Sequence, residues 1–332
     1  MSSESESNAI LPRIHRLIVV FLFAAVLAGV LAYAQQTPAT ISFIFTSFDF
    51  PGATSTSASG INKVGTLVGS YTDSAGVTHG FVREPAGKFI SLDFPGAAST
   101  TLARISDSNQ LVGSYVDSSG VVHGFLFISN TFTSIDYPGA TQTQAFGIND
   151  SQQIVGTWFD ADGNQSGFSL LDGTYTDIIY PNSVSNVASD VNSTGVISGS
   201  WGNTSQQDQS NGFLLTSALG GTFTDVDYPK ATQTLIYGVN DSSQVAGSYT
   251  DAKKIMHGWV GFPAKNQYLT VDYPASTSSF VGGITNNGNL AGGYVDSKTL
   301  MHGYFACPKP MDNNSGSNLP LPGKGGCPGI PQ

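Results

Sequence analysis

Residues 69–81 read GSYTDSAGVTHGF, and forty-four positions later residues 113–125 read GSYVDSSGVVHGF. The changes fall almost wholly on small or β-branched positions, so what is kept is a shape. In both copies an aromatic and an imidazole stand eight residues apart, Tyr71 with His79 and Tyr115 with His123, and the spacing returns at Tyr249 with His257 and Tyr294 with His302. The loop Ser74-Ala75-Gly76 centres the first span. A three-residue loop pairs a type I turn with a left-handed residue in a bulge, where Gly carries no steric penalty. Asp73 opens the turn, where its carboxylate can accept backbone N–H bonds. The motif therefore reads as a β-hairpin that sets each Tyr opposite its His. Two copies lack His, and there the partner is Trp: Trp158 faces Ser166 and Trp201 faces Asn211. Lys254 and Thr299 occupy the Gly position of the last two copies, which predicts a different turn geometry there. Cross-strand pairs of this kind contribute roughly 0.2–1 kcal/mol each, so these Tyr and His residues are assigned a structural role.

The hairpin is one part of a longer period. Aromatic-Pro segments of the FDFPG type end at Pro51, Pro95, Pro138, Pro181, Pro229 and Pro274, with spacings of 44, 43, 43, 48 and 45. Between them recur a GIN landmark (Gly60, Gly147, Gly238, Gly283, degenerate at Ala103 and Ser189), then GSY, then HGF. Each landmark lies in a short run rich in Val, Ile, Thr, Phe and Tyr, bounded by Gly, Pro, Asn or Asp, which reads as a strand. Four strands in about 44 residues match a propeller blade. The expected fold is all-β, a six-bladed β-propeller over residues 41–306; an open β-solenoid is the competing architecture. A lone FDFP strand at the start and a lone HGF strand at the end predict that the N-terminal strand completes the last blade, which removes an exposed sheet edge.

The string GIND-x-QIVG-(T/S)-(Y/W)-x-D-x-x-G-x-x-HGF, clearest in Gly147 to Phe168 and Gly60 to Phe81, resembles the tandem HAF-family extracellular repeat of bacteria. The resemblance spans about residues 46–305, with His79-Gly80-Phe81 standing where that family has His-Ala-Phe. It implies an exported, propeller-like repeat protein and carries over no catalytic residues.

Charged residues make up only 11% of the chain, and the formal net charge is -10. Nucleic acid is excluded as a partner on this ground, because phosphate binding needs clustered Lys and Arg. Arg13 and Arg16 precede an apolar run, Leu17 to Ala34, that ends in Ala32-Tyr33-Ala34. This is the pattern of a secretory signal peptide over residues 1–34, followed by a linker at 35–40. The expected location is therefore secreted or periplasmic; an uncleaved segment would instead be a membrane anchor. Cys307 and Cys327 bracket a Pro- and Gly-rich tail at 307–332. In an oxidising compartment they would form a local disulfide worth roughly 3 kcal/mol, with two free thiols as the alternative.

The four repeat histidines would need to line a common axis to bind one metal ion, and the hairpin reading keeps them apart. Asp160-Ala161-Asp162-Gly163-Asn164 has alternate carboxylates like a calcium loop but lacks further oxygen ligands, so it reads as a turn. Asp49, Asp93, Asp136, Asp227 and Asp272 precede the aromatic-Pro segments, with Ile179 breaking the series. Their period suits turn or inter-blade bonding better than acid–base work. A sialidase-like arginine cluster is excluded, since residues 35–332 hold only Arg83 and Arg104. No cofactor or metal is expected. The sequence reads as a non-enzymatic binding or surface scaffold for a carbohydrate or protein ligand, contacted through the diverged third and fourth units at Trp158, Asp160, Asp162 and Trp201. The alternative is an exported hydrolase or lyase that uses repeat carboxylates.

Overall fold

The computed structural model describes residues 42–203 and 210–309, and its regular elements are strands apart from one 3-10 turn at Pro263–Lys265. All of them fall in one compact unit that includes residues 43–310. β1 is Phe43–Phe48. The first repeat supplies β2 (Ser55–Ile61), β3 (Leu67–Thr72), β4 (Thr78–Arg83) and β5 (Phe89–Ser91). The second supplies β6 (Ser99–Ile105), β7 (Leu111–Val116), β8 (Val122–Ile128) and β9 (Thr131–Ile135). The third and fourth give β10 (Gln142–Ile148), β11 (Ile154–Phe159), β12 (Gln165–Leu171), β13 (Thr174–Ile178), β14 (Ser185–Val191), β15 (Ile197–Gly202), β16 (Ser210–Leu215) and β17 (Phe223–Asp225). The rest are β18 (Gln233–Val239), β19 (Val245–Thr250), β20 (Met256–Phe262), β21 (Gln267–Thr270), β22 (Ser278–Ile284), β23 (Leu290–Val295) and β24 (Met301–Pro308).

These strands form an all-β propeller fold of four four-stranded sheets and one eight-stranded sheet. The sequence pattern predicts six separate sheets. The difference arises at a single parallel pair, Gln165 with Ser185, which joins β12 to β14 and merges two repeats into one sheet. The first strand of every repeat lies innermost, and β2, β6, β10, β14, β18 and β22 touch one another in a closed cycle. β1 pairs antiparallel with β24 from Phe43 opposite Pro308 to Phe48 opposite Gly303, so the last sheet takes three strands from the end of the chain and one from its start. β24 runs beyond residue 306, where the sequence reading begins the tail. The physical reason is packing: Cys307 is 2% exposed and sits in a core cluster with Phe48, Ala58, Ala291 and Phe305.

The core lies between successive sheets. Val68 of β3 packs with Leu102, Ile105 and Phe125 of the next repeat, and Val112 of β7 packs with Ala145, Ile148 and Phe168. The aromatic of each HGF landmark (Phe81, Phe125, Phe168, Phe213, Trp259, Tyr304) is fully buried. Burial of each such ring stabilises the fold by about 2–3 kcal/mol. The Gly of GSY follows from that ring: a Cβ on Gly69 would stand 2.0 Å from the Ser57 carbonyl and 3.0 Å from Phe81. No side chain fits there.

The hairpin turn has the expected form in the first copy. Gly76 takes φ +84°, and Asp73 Oδ1 accepts from Ala75 N at 2.8 Å and Val77 N at 2.9 Å. The expectation of another geometry in the last two copies is overturned. Lys254 and Thr299 adopt the same left-handed conformation, at φ 66° and 67°. Asp251 and Asp296 hold them there, each accepting the same two backbone N–H bonds at 2.8 and 2.9 Å. Those bonds outweigh a left-handed cost of roughly 1–2 kcal/mol.

Candidate functional site

The innermost strands end at the GIN landmarks, and equivalent residues of all six repeats meet around one depression at that end of the ring. Its rim carries Lys63, Asp107, Asp150, Ser193, Asp241 and Asn286. Each landmark Asn does two jobs. Asn149 Oδ1 accepts from Ser151 N and Gln153 N, closing its own turn, while Nδ2 donates to the Asn192 carbonyl of the next repeat at 3.0 Å. Asn192 reaches Asn240 at 3.0 Å and Asn240 reaches Thr285 at 3.2 Å in the same way. Where Asn is absent from the landmark, the Ser106 and Thr285 hydroxyls keep the turn bond, accepting from Gln110 N and Asn289 N. The rim carboxylates act as staples between repeats: Asp107 accepts from Lys63 N at 2.7 Å, Asp150 from Ser108 N at 2.8 Å, and Asp241 from Ser193 N at 2.9 Å. Burial alone would push the Asp241 carboxyl up. The bonds from Ser193 and Asn286 outweigh it and hold the group below the usual carboxylate range.

Beneath the rim, Arg104 of β6 crosses the axis. Its Nη1 donates to the carbonyls of Ser59 at 2.9 Å and Gly282 at 3.0 Å, its Nη2 donates to the Tyr237 carbonyl, and its Nε lies 3.1 Å from Asp190 Oδ1. One guanidinium thus ties β6 to β2, β14, β18 and β22. Burial pushes the Asp190 carboxyl up, against Arg104 and the Val239 N–H that hold it down. Close approach explains the Gly at this level, since a Cβ on Gly283 would stand 2.8 Å from Arg104 Nη1. In the sequence Arg104 stands out only as one of two arginines beyond residue 34. Its signal is an arginine at a landmark position that is Gly in four copies (Gly60, Gly147, Gly238, Gly283) and Asp190 in the fourth repeat.

The histidines lie away from this depression. Tyr71 pairs with His79 across the hairpin, their rings 5.0 Å apart, and the same holds for the other three copies at 5.0–5.1 Å. On its other face each Tyr stacks at 3.7 Å on the aromatic of the preceding FDFP segment: Phe50, Phe94, Tyr228 and Tyr273. The imidazole is held by two carboxylates. His79 Nδ1 meets Asp93 at 2.9 Å and Nε2 meets the turn residue Asp73 at 3.4 Å. His123 meets Asp136 and Asp117, His257 meets Asp272 and Asp251, and His302 meets Asp49 and Asp296. The bond to Asp93 raises the His79 pKa, against burial. At His123 burial opposes the rise and Asp136 outweighs it. Asp117 is held down at about 2, first by the Ser119 hydroxyl and then by the Val121 N–H. The FDFP carboxylates therefore serve histidines of their own sheets, and Asp227, where His is absent, accepts from Gly212 N at 3.0 Å.

The four residues singled out as a ligand sector are not assembled into one site. Trp158 stacks on Tyr137 in one core cluster, and Trp201 stacks on Tyr180 in another. The Asp160 carboxylate is spent on its turn, accepting from Asp162 N, Asn164 N and Asn164 Nδ2. Asp162 is exposed at the turn tip. Among the described residues no group of three or more His, Cys, Asp or Glu could hold a metal ion. Cys307 is not a free thiol, while Cys327 lies outside the described residues, as do residues 1–41 and most of the tail.

No family model matches the chain, and no curated protein matches its sequence. Solved structures do resemble it in fold. A putative TolB from Agrobacterium tumefaciens aligns with TM-score 0.54 and 11% identity over 82% of this chain and 100% of that one. TolB from Acinetobacter baumannii gives 0.52 and 9% over 78% and 65%. AofleA from Arthrobotrys oligospora gives 0.50 and 9% over 82% and 88%. At such identities the likeness is one of fold alone.

Proposed function

We propose that this chain is an exported, non-enzymatic six-bladed propeller that acts as a binding module or cell-surface scaffold for a carbohydrate or protein ligand. The count of six treats the eight-stranded sheet as two blades, each antiparallel within itself and linked by the one parallel pair. The observation that carries the reading is the internal use of the repeat histidines, the rim aspartates and Asp190. Four histidines each lie between two aspartates, three rim aspartates accept backbone N–H bonds from the neighbouring repeat, and Asp190 faces Arg104. A general acid or base must instead be free to exchange a proton with substrate. Export is supported by the signal-peptide pattern of residues 1–34 and the resemblance to HAF repeats. Among the described residues no helix is long and apolar enough to cross a membrane.

The test is a parallel screen of the chain from residue 35 on glycan and peptide arrays and against glycoside, ester and polysaccharide-lyase substrates. Specific retention without turnover is the expected result. Turnover abolished by Asp107→Asn or Asp150→Asn would replace the binding reading with the enzymatic one. N-terminal sequencing of the exported product should begin at Gln35, and a retained Met1 would overturn cleavage.

A further inference from the structure

We propose that the uncovered face of the Trp158 indole is a saccharide subsite, formed where the third repeat has exchanged a ring and its clamp for smaller and apolar groups. This rests on the binding-module reading and gives it a place and a ligand class.

Four repeats carry a stack of three rings, in which the aromatic-Pro residue covers one face of Tyr and His covers the other. Two carboxylates flank that imidazole, as Asp93 and Asp73 do at His79. In the third repeat Tyr137 lies parallel to Trp158 at 4.2 Å, but Ser166 pairs with Trp158 at the His position, and Ile179 stands at the Asp position. Among the described residues no ring stacks on the second face of Trp158. The ring and the carboxylate that would clamp it have changed together.

The exchange also adds polar groups of another kind. The other Tyr hydroxyls bond to Ser91, Ser134, Thr270 and Ser47; the matching residue here is Asp177. Its Oδ1 accepts from Trp158 Nε1 at 3.3 Å and from the Tyr137 hydroxyl at 2.8 Å. Its Oδ2 and the Ser166 hydroxyl have no partner among the described residues. Ile179, at the repeat position where Asp93, Asp136 and Asp272 hold their histidines, is 52% exposed.

A flat aromatic face, a rigidly held carboxylate oxygen, a hydroxyl and an apolar flank match a pyranose. Its C–H face lies on the indole while its hydroxyls donate charge-assisted bonds to Asp177. A cationic side chain would stack on the same indole. It would, however, want the second carboxylate that Ile179 has replaced, and Asp160 is already committed to Asn164. An uncharged ring fits better.

The experiment titrates the chain from residue 35 with methyl glycosides of galactose, glucose, mannose, fucose and N-acetylglucosamine, read by saturation-transfer NMR and tryptophan fluorescence. Trp158→Ala also removes core packing, so the decisive variant is Ser166→His with Ile179→Asp, which restores the clamp seen in four repeats. It should unfold at or above the wild-type temperature and bind the preferred glycoside at least 10-fold more weakly. Unchanged binding in that variant would overturn the subsite while leaving the module intact. Retention of peptides alone by the wild-type chain would overturn the saccharide class, and retention of nothing would overturn both readings.

Discussion

Replacing Arg104 should be the most damaging single change in the ring. Arg104→Met leaves the Asp190 carboxylate buried, at 6% exposure, without its counter-charge. Removing one partner of a buried pair costs about 3–5 kcal/mol. The carbonyls of Ser59, Gly282 and Tyr237 lose their donor as well, at about 1 kcal/mol each before water replaces part of it. The expected loss is ~5 kcal/mol. With a urea dependence of about 3 kcal/mol/M for a chain of this size, the midpoint should fall by ~1.5 M. Equilibrium urea unfolding followed by tryptophan fluorescence and circular dichroism measures it. The double variant Arg104→Met with Asp190→Leu removes both charges and should recover at least ~2 kcal/mol of the loss. A single variant within ~1 kcal/mol of wild type would refute the reasoning, as would a double variant no more stable than the single one.

The His–Asp contacts should make stability depend on pH in a defined direction. His79 and His123 have raised pKa values in the folded state, so their contribution is complete below the unfolded value of 6.5 and is lost as pH rises through the folded value. His79→Gln should therefore cost about 0.5 kcal/mol more at pH 5.5 than at pH 8.5 in urea titrations, a small figure because the pair is partly exposed. Lys254→Gly and Thr299→Gly relieve left-handed strain and should each raise stability by about 0.5–1 kcal/mol in thermal unfolding; a loss would show that the native residues make compensating contacts. Asn240→Ser keeps a turn acceptor like that of Ser106 but gives up the bond to the Thr285 carbonyl, so it should cost about 1 kcal/mol. Asn240→Ala loses both functions and should cost about 2 kcal/mol. Equal losses in the two variants would remove the cross-repeat bond from the account.

How much was legible depends on the distance over which each feature is decided. The hairpin is local: eight residues separate Tyr71 from His79, and the β3–β4 register places them opposite each other. The Gly76 turn is local too, but identity alone misled at Lys254 and Thr299, because an Asx bond from Asp251 or Asp296 can hold a non-Gly residue in the same conformation. The FDFP carboxylates were visible as a periodic series, yet their bond to histidine was not. Asp93 is fourteen residues from His79, and Asp49 is 253 from His302. The ligand sector was placed by divergence, which cannot show that the Asp160 carboxylate is spent on its own turn or that Asp177 accepts from the Trp158 indole.

The amino-acid sequence by itself determined the repeating unit: four strands, their order, the turn acids, and the small residues that buried rings demand. These follow from alternation and steric exclusion within about 44 residues, where neighbours along the chain are neighbours in space. Only the tertiary structure decided what the ring does with its units. Arg104 finds Asp190 and the carbonyls of three other inner strands because closure brings distant repeats together, whereas the pairing of β1 with β24 was already readable from the incomplete first and last units. The period shows that Arg104 and Asp190 both depart from Gly at one landmark position, but that these two meet across the axis depends on how many units complete the circle.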